Sequence, residues 1–501
     1  MSATAPTGPT IVESPVRRVN PWLVLVIACL AQFMVVLDIT VVNIALPSVQ
    51  RGLHFSPANL QWIVNGYTLV FGGFLLLGGR AADLLGRKRL FVAGVVLFTL
   101  ASLFNGLAQS SGALIVGRGL QGLGGALVSP AALSIVTTTF AEGKERTRAL
   151  AVWSAIAAGG SAVGLLLGGA LTQLASWRWV FFVNVPVGII TIALAFRFVA
   201  ESRVDAAHRS YDVAGAVTVT GGLVVLVYAI VKAQAYGWGS PRTLGLGAVA
   251  FVLLAAFVVI ESRGRAPLMR LSIFRVRSLA VSDASLLLVA SALFGMFFFA
   301  SLYVQEILGY SPLRAGLAFL PVTGGIILAS GLAQMLIPRL GVRNVAAFGI
   351  SLSAVGLLIL TQLPVHGSYA GNLLVGLLPL SLGLGLAFVP LTVLGTGGVS
   401  NDDAGLASGL FNTAQQVGGS LGLAILSTLA ASRTSHLLHG ATAGTAQVLS
   451  ARVSGYHVAF LAAAIMMAAA AALMVFALRR SDLREIETEV ATGEAAPVPA
   501  V

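Results

Sequence analysis

Charge is scarce in this chain of 501 residues: Asp, Glu, Lys and Arg together make up 10% of it, against roughly a quarter of an ordinary globular chain. A soluble multidomain enzyme of this length needs far more polar surface, and a disordered protein could not carry 57% hydrophobic residues. Cysteine is nearly absent. Cys29 stands alone in an apolar run, which excludes an intrachain disulfide and a secreted disulfide scaffold. The six histidines are scattered, and no spacing of His, Cys, Asp or Glu matches a metal site. There is no catalytic constellation, so an enzyme is not expected. No Gly-x-x-x-x-Gly-Lys-Ser/Thr loop occurs, so no cofactor and no ATP are expected. Lysine is reduced to three against 27 arginines, a bias that fits a GC-rich bacterial genome and hence a bacterial cell membrane.

What remains is a chain whose solvent is mostly lipid, with mean hydropathy +0.93. Glycine supplies 57 residues, above the usual ~7%. Glycine is poor in soluble helices but lets membrane helices approach closely. The net charge of +12 does not indicate nucleic acid, because the basic residues sit in short clusters between long apolar runs.

A membrane span needs about 20 mostly apolar residues. Fourteen such runs occur, at about 21–45, 59–79, 90–109, 112–138, 149–173, 179–199, 212–232, 243–261, 279–306, 312–337, 342–363, 370–395, 405–431 and 454–479. The first is too long for a signal-peptide h-region and contains Asp38. With the N-terminus in the cytoplasm, 22 of the 30 basic residues fall inside, from Arg17 and Arg18 to Arg209, Arg265 and Arg484, and seven fall outside. Arg118 alone is left within a span. That bias places both termini in the cytoplasm.

Two stretches of the chain match at a constant offset. Phe55-Ser56-Pro57 matches Tyr310-Ser311-Pro312, and Leu85-Gly86 matches Leu340-Gly341, both 255 residues on. Gly159-Gly160-Ser161 matches Gly418-Gly419-Ser420 at an offset of 259. Two similar six-span halves explain this. The surplus fits two inserted helices, giving a 6+2+6 layout. The expected divisions are a tail at 1–20, a first half at 21–200, an insert and linker at 201–278, a second half at 279–480 and a tail at 481–501. Two parallel halves with substrate between them near midplane form a transporter geometry.

An ionisable residue inside a span is a functional hypothesis by default. Asp38 lies roughly 10 Å, and Arg118 roughly 9 Å, below the outer surface at 1.5 Å per residue. Acid and base can therefore pair or share a cavity. Desolvation favours a neutral acid and a neighbouring guanidinium favours the anion, so such a carboxyl can change protonation as its pocket changes exposure. The plainer alternative is a structural ion pair or snorkelling side chains.

Thr40, Asn43 and Pro47 follow Asp38 at helical spacing, either facing the same cavity or ending the helix. Gly405, Gly409, Asn412, Gln416 and Gly419 make a stripe that either packs closely or lines the cavity. Trp62 and Tyr67 either belong to an interfacial belt or line a pocket for aromatic or cationic substrates. Glu306 reads as a solvated rim acid, and Asp283 as an acid facing water near the start of span 9. The segment Pro267–Arg277 alternates apolar and basic residues, as a short amphipathic helix on the inner surface does. In the loop 79–89, Asp83 between basic groups can face Arg87 or another helix start.

With these residues in place, the sequence resembles the major facilitator superfamily, and within it the 14-spanner drug:proton antiporters (QacA/EmrB-like multidrug exporters). Gly79, Asp83, Gly86, Arg87 and Lys88 resemble motif A, a conformational latch. Residues 37–47 resemble the span-1 motif with Asp38 and Pro47. Arg118, Gln121, Gly122 and Gly124 resemble motif B, whose arginine the family associates with proton coupling. Trp177, Arg178, Trp179, Asn184, Pro186 and Gly188 resemble the span 5–6 signature. Gly160, Gly164, Gly168 and Gly169 keep the glycines of motif C, but Leu165 stands where the motif has proline, removing the strongest kink-former.

The resemblance covers about residues 20–480. It implies an all-α major facilitator fold of 14 helices and a monomer in the bacterial cell membrane. The implied activity is proton-coupled efflux of drugs, antibiotics or other hydrophobic or cationic small molecules by alternating access. Asp38 and Arg118 would carry proton coupling, with Asn43, Trp62, Tyr67, Gln121, Asn412 and Gln416 as cavity candidates. The implied partners are a small-molecule substrate, protons and the lipid bilayer, with no nucleic acid. The alternative is a specific metabolite or siderophore exporter, or a proton-coupled uptake symporter. Only Asp38 lies deep in a span among the acids, so neutral or monovalent cationic substrates are expected.

Overall fold

A computed structural model describes residues 11–13, 20–141, 143–204, 212–264, 267–399, 403–438 and 444–483. Arg17, Arg18, Arg209, Arg265, Arg484 and most of both expected tails lie outside the described residues. Each expected apolar run corresponds to one helix. These are α1 (Pro21–Leu53), α2 (Pro57–Leu85), α3 (Arg87–Leu107), α4 (Ser111–Thr139), α5 (Lys144–Leu174), α6 (Trp179–Phe198), α7 (Val213–Tyr236), α8 (Pro241–Arg263), α9 (Arg277–Ile307), α10 (Pro312–Leu340), α11 (Val342–Leu360), α12 (Tyr369–Thr396), α13 (Ala404–Leu438) and α14 (Thr445–Ala477). Thirteen of them are long and apolar enough to cross a membrane by length and composition. The helix outside that set is α13, whose Asn412, Gln415, Gln416 and hydroxyls dilute its apolar residues. The structure also holds one short antiparallel strand pair, β1 (Ile11–Glu13) with β2 (Ser202–Val204), which the sequence pattern did not indicate.

Local sequence explains several of the helix starts. Side chains of Asn20, Ser110, Asp212, Ser240 and Ser311 each accept a hydrogen bond from a backbone N–H in the first turn that follows, satisfying donors that the helix leaves free. The helix ends run further than the apolar runs. Expected to stop near 45, α1 continues to Leu53, where His54 adopts a left-handed backbone with φ 53°. Backbone hydrogen bonding does not stop where side chains turn polar, and Pro47 does not end the helix. Asp38 is therefore near the middle of α1.

Packing repeats with a step of eight helices. In the first part α1 packs on α5, and α2 and α3 on α4; then α9 packs on α13, and α10 and α11 on α12. Across the two sets, α2 packs on α13 and α5 on α10, again a pair related by the same step. The repeat reaches single residues. Gly86 and Gly341 both have positive φ, 115° and 81°. Two residues after each, a cation reaches the end of a helix: Lys88 Nζ donates to the Phe196 carbonyl of α6 at 3.0 Å, and Arg343 donates to the Val475 carbonyl of α14. The remaining helices, α7 and α8, pack on each other, and α7 covers the seam of α2 and α13. Most of α8 faces outward, with Phe251 and Val252 largely exposed, as a helix against lipid requires.

Candidate functional site

Asp38 of α1 is fully buried (0% exposed) and Arg118 of α4 nearly so (2%). Their side chains pair, with Arg118 Nη1 2.5 Å from Asp38 Oδ2. Asp38 Oδ1 accepts from Gln121 Nε2 at 2.7 Å and from Asn184 Nδ2 of α6 at 3.1 Å. A second layer holds these amides. Asn105 Nδ2 donates to Gln121 Oε1 at 2.8 Å, and Ser102 Oγ of α3 accepts from Gln121 and Asn184 at 3.2 and 3.0 Å. Ser102 in turn donates to the Phe181 carbonyl at 2.8 Å. Arg118 has partners besides the acid: the Ile63 carbonyl and Gln121 Oε1, both at 2.9 Å, and the Tyr67 ring 4.5 Å from its Cζ. One buried anion is thus matched by one buried cation and by donors on two other side chains. This arrangement offsets the large cost of removing a charge from water.

Placement inside apolar runs pointed to Asp38 and Arg118, and the family resemblance added Gln121. Neither pointed to Ser102 or Asn105, and Asn184 entered only as part of a signature. Tyr67 does hold a cation, but the cation is Arg118, and the ring stacks on Phe71 at 5.6 Å. Trp62 is covered by Tyr228 of α7, 6.2 Å between rings. Neither aromatic residue lines an open pocket in this conformation. Gln121 likewise belongs to the acid cluster. Thr40 Oγ1 bonds back to the Val36 and Leu37 carbonyls, both at 3.1 Å.

The glycines expected to pack do so. A Cβ on Gly160 would lie 3.3 Å from Val36, one on Gly164 would overlap Thr40, and one on Gly168 would lie 2.8 Å from the Val41 carbonyl, all on α1. Gly169 faces the other way, onto the Pro312 carbonyl of α10 at 2.6 Å. With Leu165 in place of proline, α5 runs unbroken from Lys144 to Leu174. The α13 stripe splits between two neighbours. Gly409 and Gln416 meet Leu76 and Gly72 of α2, whereas Gly419 meets Phe294 of α9. Asn412 Nδ2 bonds back to the Ser408 carbonyl at 3.1 Å, and Gln416 Oε1 is buried without a partner. Beside them, Thr68 Oγ1 and Ser420 Oγ meet at 2.5 Å across the seam.

At the end of the molecule where α1 finishes, α9 reaches back to it. Ser301 Oγ donates to the Asn43 carbonyl and Gln305 Nε2 to the Ile44 carbonyl, both at 3.0 Å. Asn43 precedes Pro47 by four residues, so its carbonyl has lost its intrahelical donor to the proline. Asn43's own amide bonds back to the Ile39 carbonyl at 3.1 Å.

At the opposite end, Asp83 pairs with Arg87 at 2.9 Å. Gly79 sits in ordinary contact with Pro130, 3.6 Å from a notional Cβ. Gly86 has no room for one, because Glu201 Oε1 would lie 2.5 Å away. Glu201, unremarked in the sequence, accepts from the Lys88 backbone N–H at 3.2 Å and faces Arg89 at 3.6 Å. Arg80 donates to the Pro267 carbonyl at 2.7 Å.

Three expectations need correction. Glu306 is not left to solvent alone: its side chain is 21% exposed and pairs with Arg452 of α14 at 2.7 Å. Asp283 does not face water. It is 6% exposed, and its Oδ1 has no partner, because α9 is packed against neighbours from its first turn. The segment 267–277 holds a short 3-10 turn, Leu271–Arg275, with Ile273 buried, and its Arg270 pairs with Asp403.

Comparison with known proteins agrees with this architecture. The family profile of the Major Facilitator Superfamily matches residues 28–423. The puromycin resistance protein pur8 of Streptomyces alboniger is 40% identical over 484 residues, covering 96% of this chain and 95% of that protein. The cephamycin export protein CmcT of Amycolatopsis lactamdurans is 42% identical over 415 residues, covering 82% and 85%. Among solved structures, a bacterial homolog of the human lysosomal transporter Spinster, inward-facing and unoccupied, superimposes with TM-score 0.64 at 16% identity, over 93% of this chain and 98% of that one. The chain is therefore a multipass membrane transporter rather than an enzyme, and it belongs to the Major Facilitator Superfamily.

Proposed function

We propose that this protein exports antibiotics or similar hydrophobic or cationic small molecules from bacterial cells in exchange for protons, as a monomer. The observation that carries the reading is Asp38, among the described residues the one fully buried carboxylate placed mid-helix, held by Arg118, Gln121 and Asn184. In this reading all fourteen helices cross the membrane as 6+2+6, with halves at 21–200 and 279–480. The insert and linker occupy 201–278, and the termini and motif A are cytoplasmic. The names of the relatives, for puromycin resistance and cephamycin export, supply the substrate class.

The proton step follows from the partners of Arg118. When Asp38 takes a proton, the ion pair is lost but Arg118 keeps the Ile63 carbonyl, Gln121 Oε1 and the Tyr67 face. The guanidinium stays hydrogen-bonded although its counter-charge is gone, which lowers the cost of leaving it buried in the protonated state. Loss of the ion pair loosens α1 from α4 and frees the halves to rock around the central cavity. Asp83 with Arg87 latches the cytoplasmic end, and Asn412 and Gln416 stand at the seam the substrate crosses.

The test is transport of a fluorescent cation into everted vesicles. Asp38→Asn is expected to abolish proton-driven flux while leaving the protein folded; full flux would remove the assigned role. A second reading is export of one specific metabolite, favoured by relatives named for single antibiotics. Deletion that makes one compound accumulate, with unchanged tolerance to other drugs, would select it.

A further inference from the structure

The inserted pair carries an acid site of its own. Asp212 caps α7, its Oδ1 accepting from the Gly215 N–H at 2.7 Å. Glu261, in the last turn of α8, is 4% exposed, and its Oε2 accepts from the Met269 N–H at 3.0 Å. The other oxygen of each carboxyl is buried and has no donor. Those two oxygens converge on one point: a Cβ on Gly215 would lie 2.7 Å from Asp212 Oδ2 and 2.8 Å from Glu261 Oε1. Glycine at 215 leaves that space open. The two carboxyls therefore face each other across that space, and both facing atoms are acceptors.

Among the described residues neither carboxyl has an ion-pair partner. Arg80, from α2, is committed to the Pro267 carbonyl, Arg87 to Asp83, Arg270 to Asp403 and Arg277 to Asp482. Arg263 and Arg275 point into solvent. Two acceptors face to face in a buried setting, with no cation among the described residues, call for a hydrogen between them.

We propose that Asp212 and Glu261 bind one proton between them, forming a carboxyl–carboxylate bridge that fastens the 267–277 segment to the inserted pair. With the proton bound, one carboxyl O–H donates to the other carboxylate, and Glu261 stays in place to hold Met269. Without it, two anions repel across the Gly215 gap and release Met269. The adjoining residues of the segment hold Arg80 of motif A through Pro267 and the start of α13 through the Arg270–Asp403 pair. The site therefore couples protonation at the motif A end to the grip between motif A and the second half. It is separate from Asp38 and does not require that Asp38 carries the transported proton.

The test is infrared spectroscopy of the purified full-length protein across a pH titration, which needs no transport. A protonated-carboxyl C=O band is expected that disappears on alkaline titration. It should be missing from both Glu261→Gln and Asp212→Asn, and retained in Asp38→Asn and Asp283→Asn. Glu261→Gln carries a permanent N–H donor toward Asp212. It should therefore fold with wild-type thermal stability and show transport that no longer falls as pH rises on the motif A side. A band unchanged in Glu261→Gln overturns the proposal. So does calcium binding by calorimetry that Glu261→Gln abolishes, since the site would then hold a cation instead.

Discussion

Arg118 makes a stability prediction as well as a functional one. Its guanidinium is the sole cation paired with the fully buried Asp38 among the described residues. Arg118→Leu strands the carboxylate, at a cost of about 3–5 kcal/mol, read as a large drop in the thermal unfolding midpoint. The double variant Asp38→Asn with Arg118→Leu should recover most of that loss, because neither charge remains. A double variant as unstable as the single one would show that packing of the guanidinium on Tyr67, not charge balance, is what matters. The two charges were legible in the sequence because each interrupts an apolar run. Ser102 and Asn105 were not, and Asn184 only as part of a family signature, since one sequence does not say which face of α3 or α6 meets α1. Asp283 was misread for the converse reason. Nearness to the start of a span suggested water, whereas burial is decided by the helices packed around it.

At the scale of the element, α1 shows how one proline serves a contact between helices. Pro47 leaves the Asn43 carbonyl without an intrahelical donor, and Ser301 of α9 supplies one at 3.0 Å, with Gln305 donating one residue further on. The end of α1 is thereby closed onto α9. Ser301→Ala combined with Gln305→Ala removes both donors, at about 0.5–1.5 kcal/mol each. The expected outcome is a several-fold rise in the population open at that end, measured as a longer spin-label distance between the ends of α1 and α9 by electron–electron resonance. An unchanged distance distribution would show that the apolar contacts of α5 with α10 suffice for closure. Proline in a span was readable as a helix-former's defect. Its use by a helix more than 250 residues away was not.

At the scale of the whole molecule, the repeat was the most legible feature, because an offset in sequence needs no knowledge of packing. The pairs α2 with α13 and α10 with α5 are its structural counterpart. The cover of the α2–α13 seam by α7 was not legible, since apolar composition alone does not say where an inserted helix lies. That seam gives a direct test of rocking halves. Thr68 Oγ1 and Ser420 Oγ meet at 2.5 Å, so cysteines at these positions place their sulfurs within bonding reach. Cys29 is the chain's single cysteine and is buried, so Cys29→Ala provides a clean background. Thr68→Cys with Ser420→Cys should form a disulfide under mild oxidation, stop vesicle transport, and regain it on reduction. Either single variant should be indifferent to oxidant. If the oxidised double variant, shown by gel shift to be cross-linked, still transported at the wild-type rate, α2 and α13 would have to move as one body. The rocking interface would then lie elsewhere than this seam.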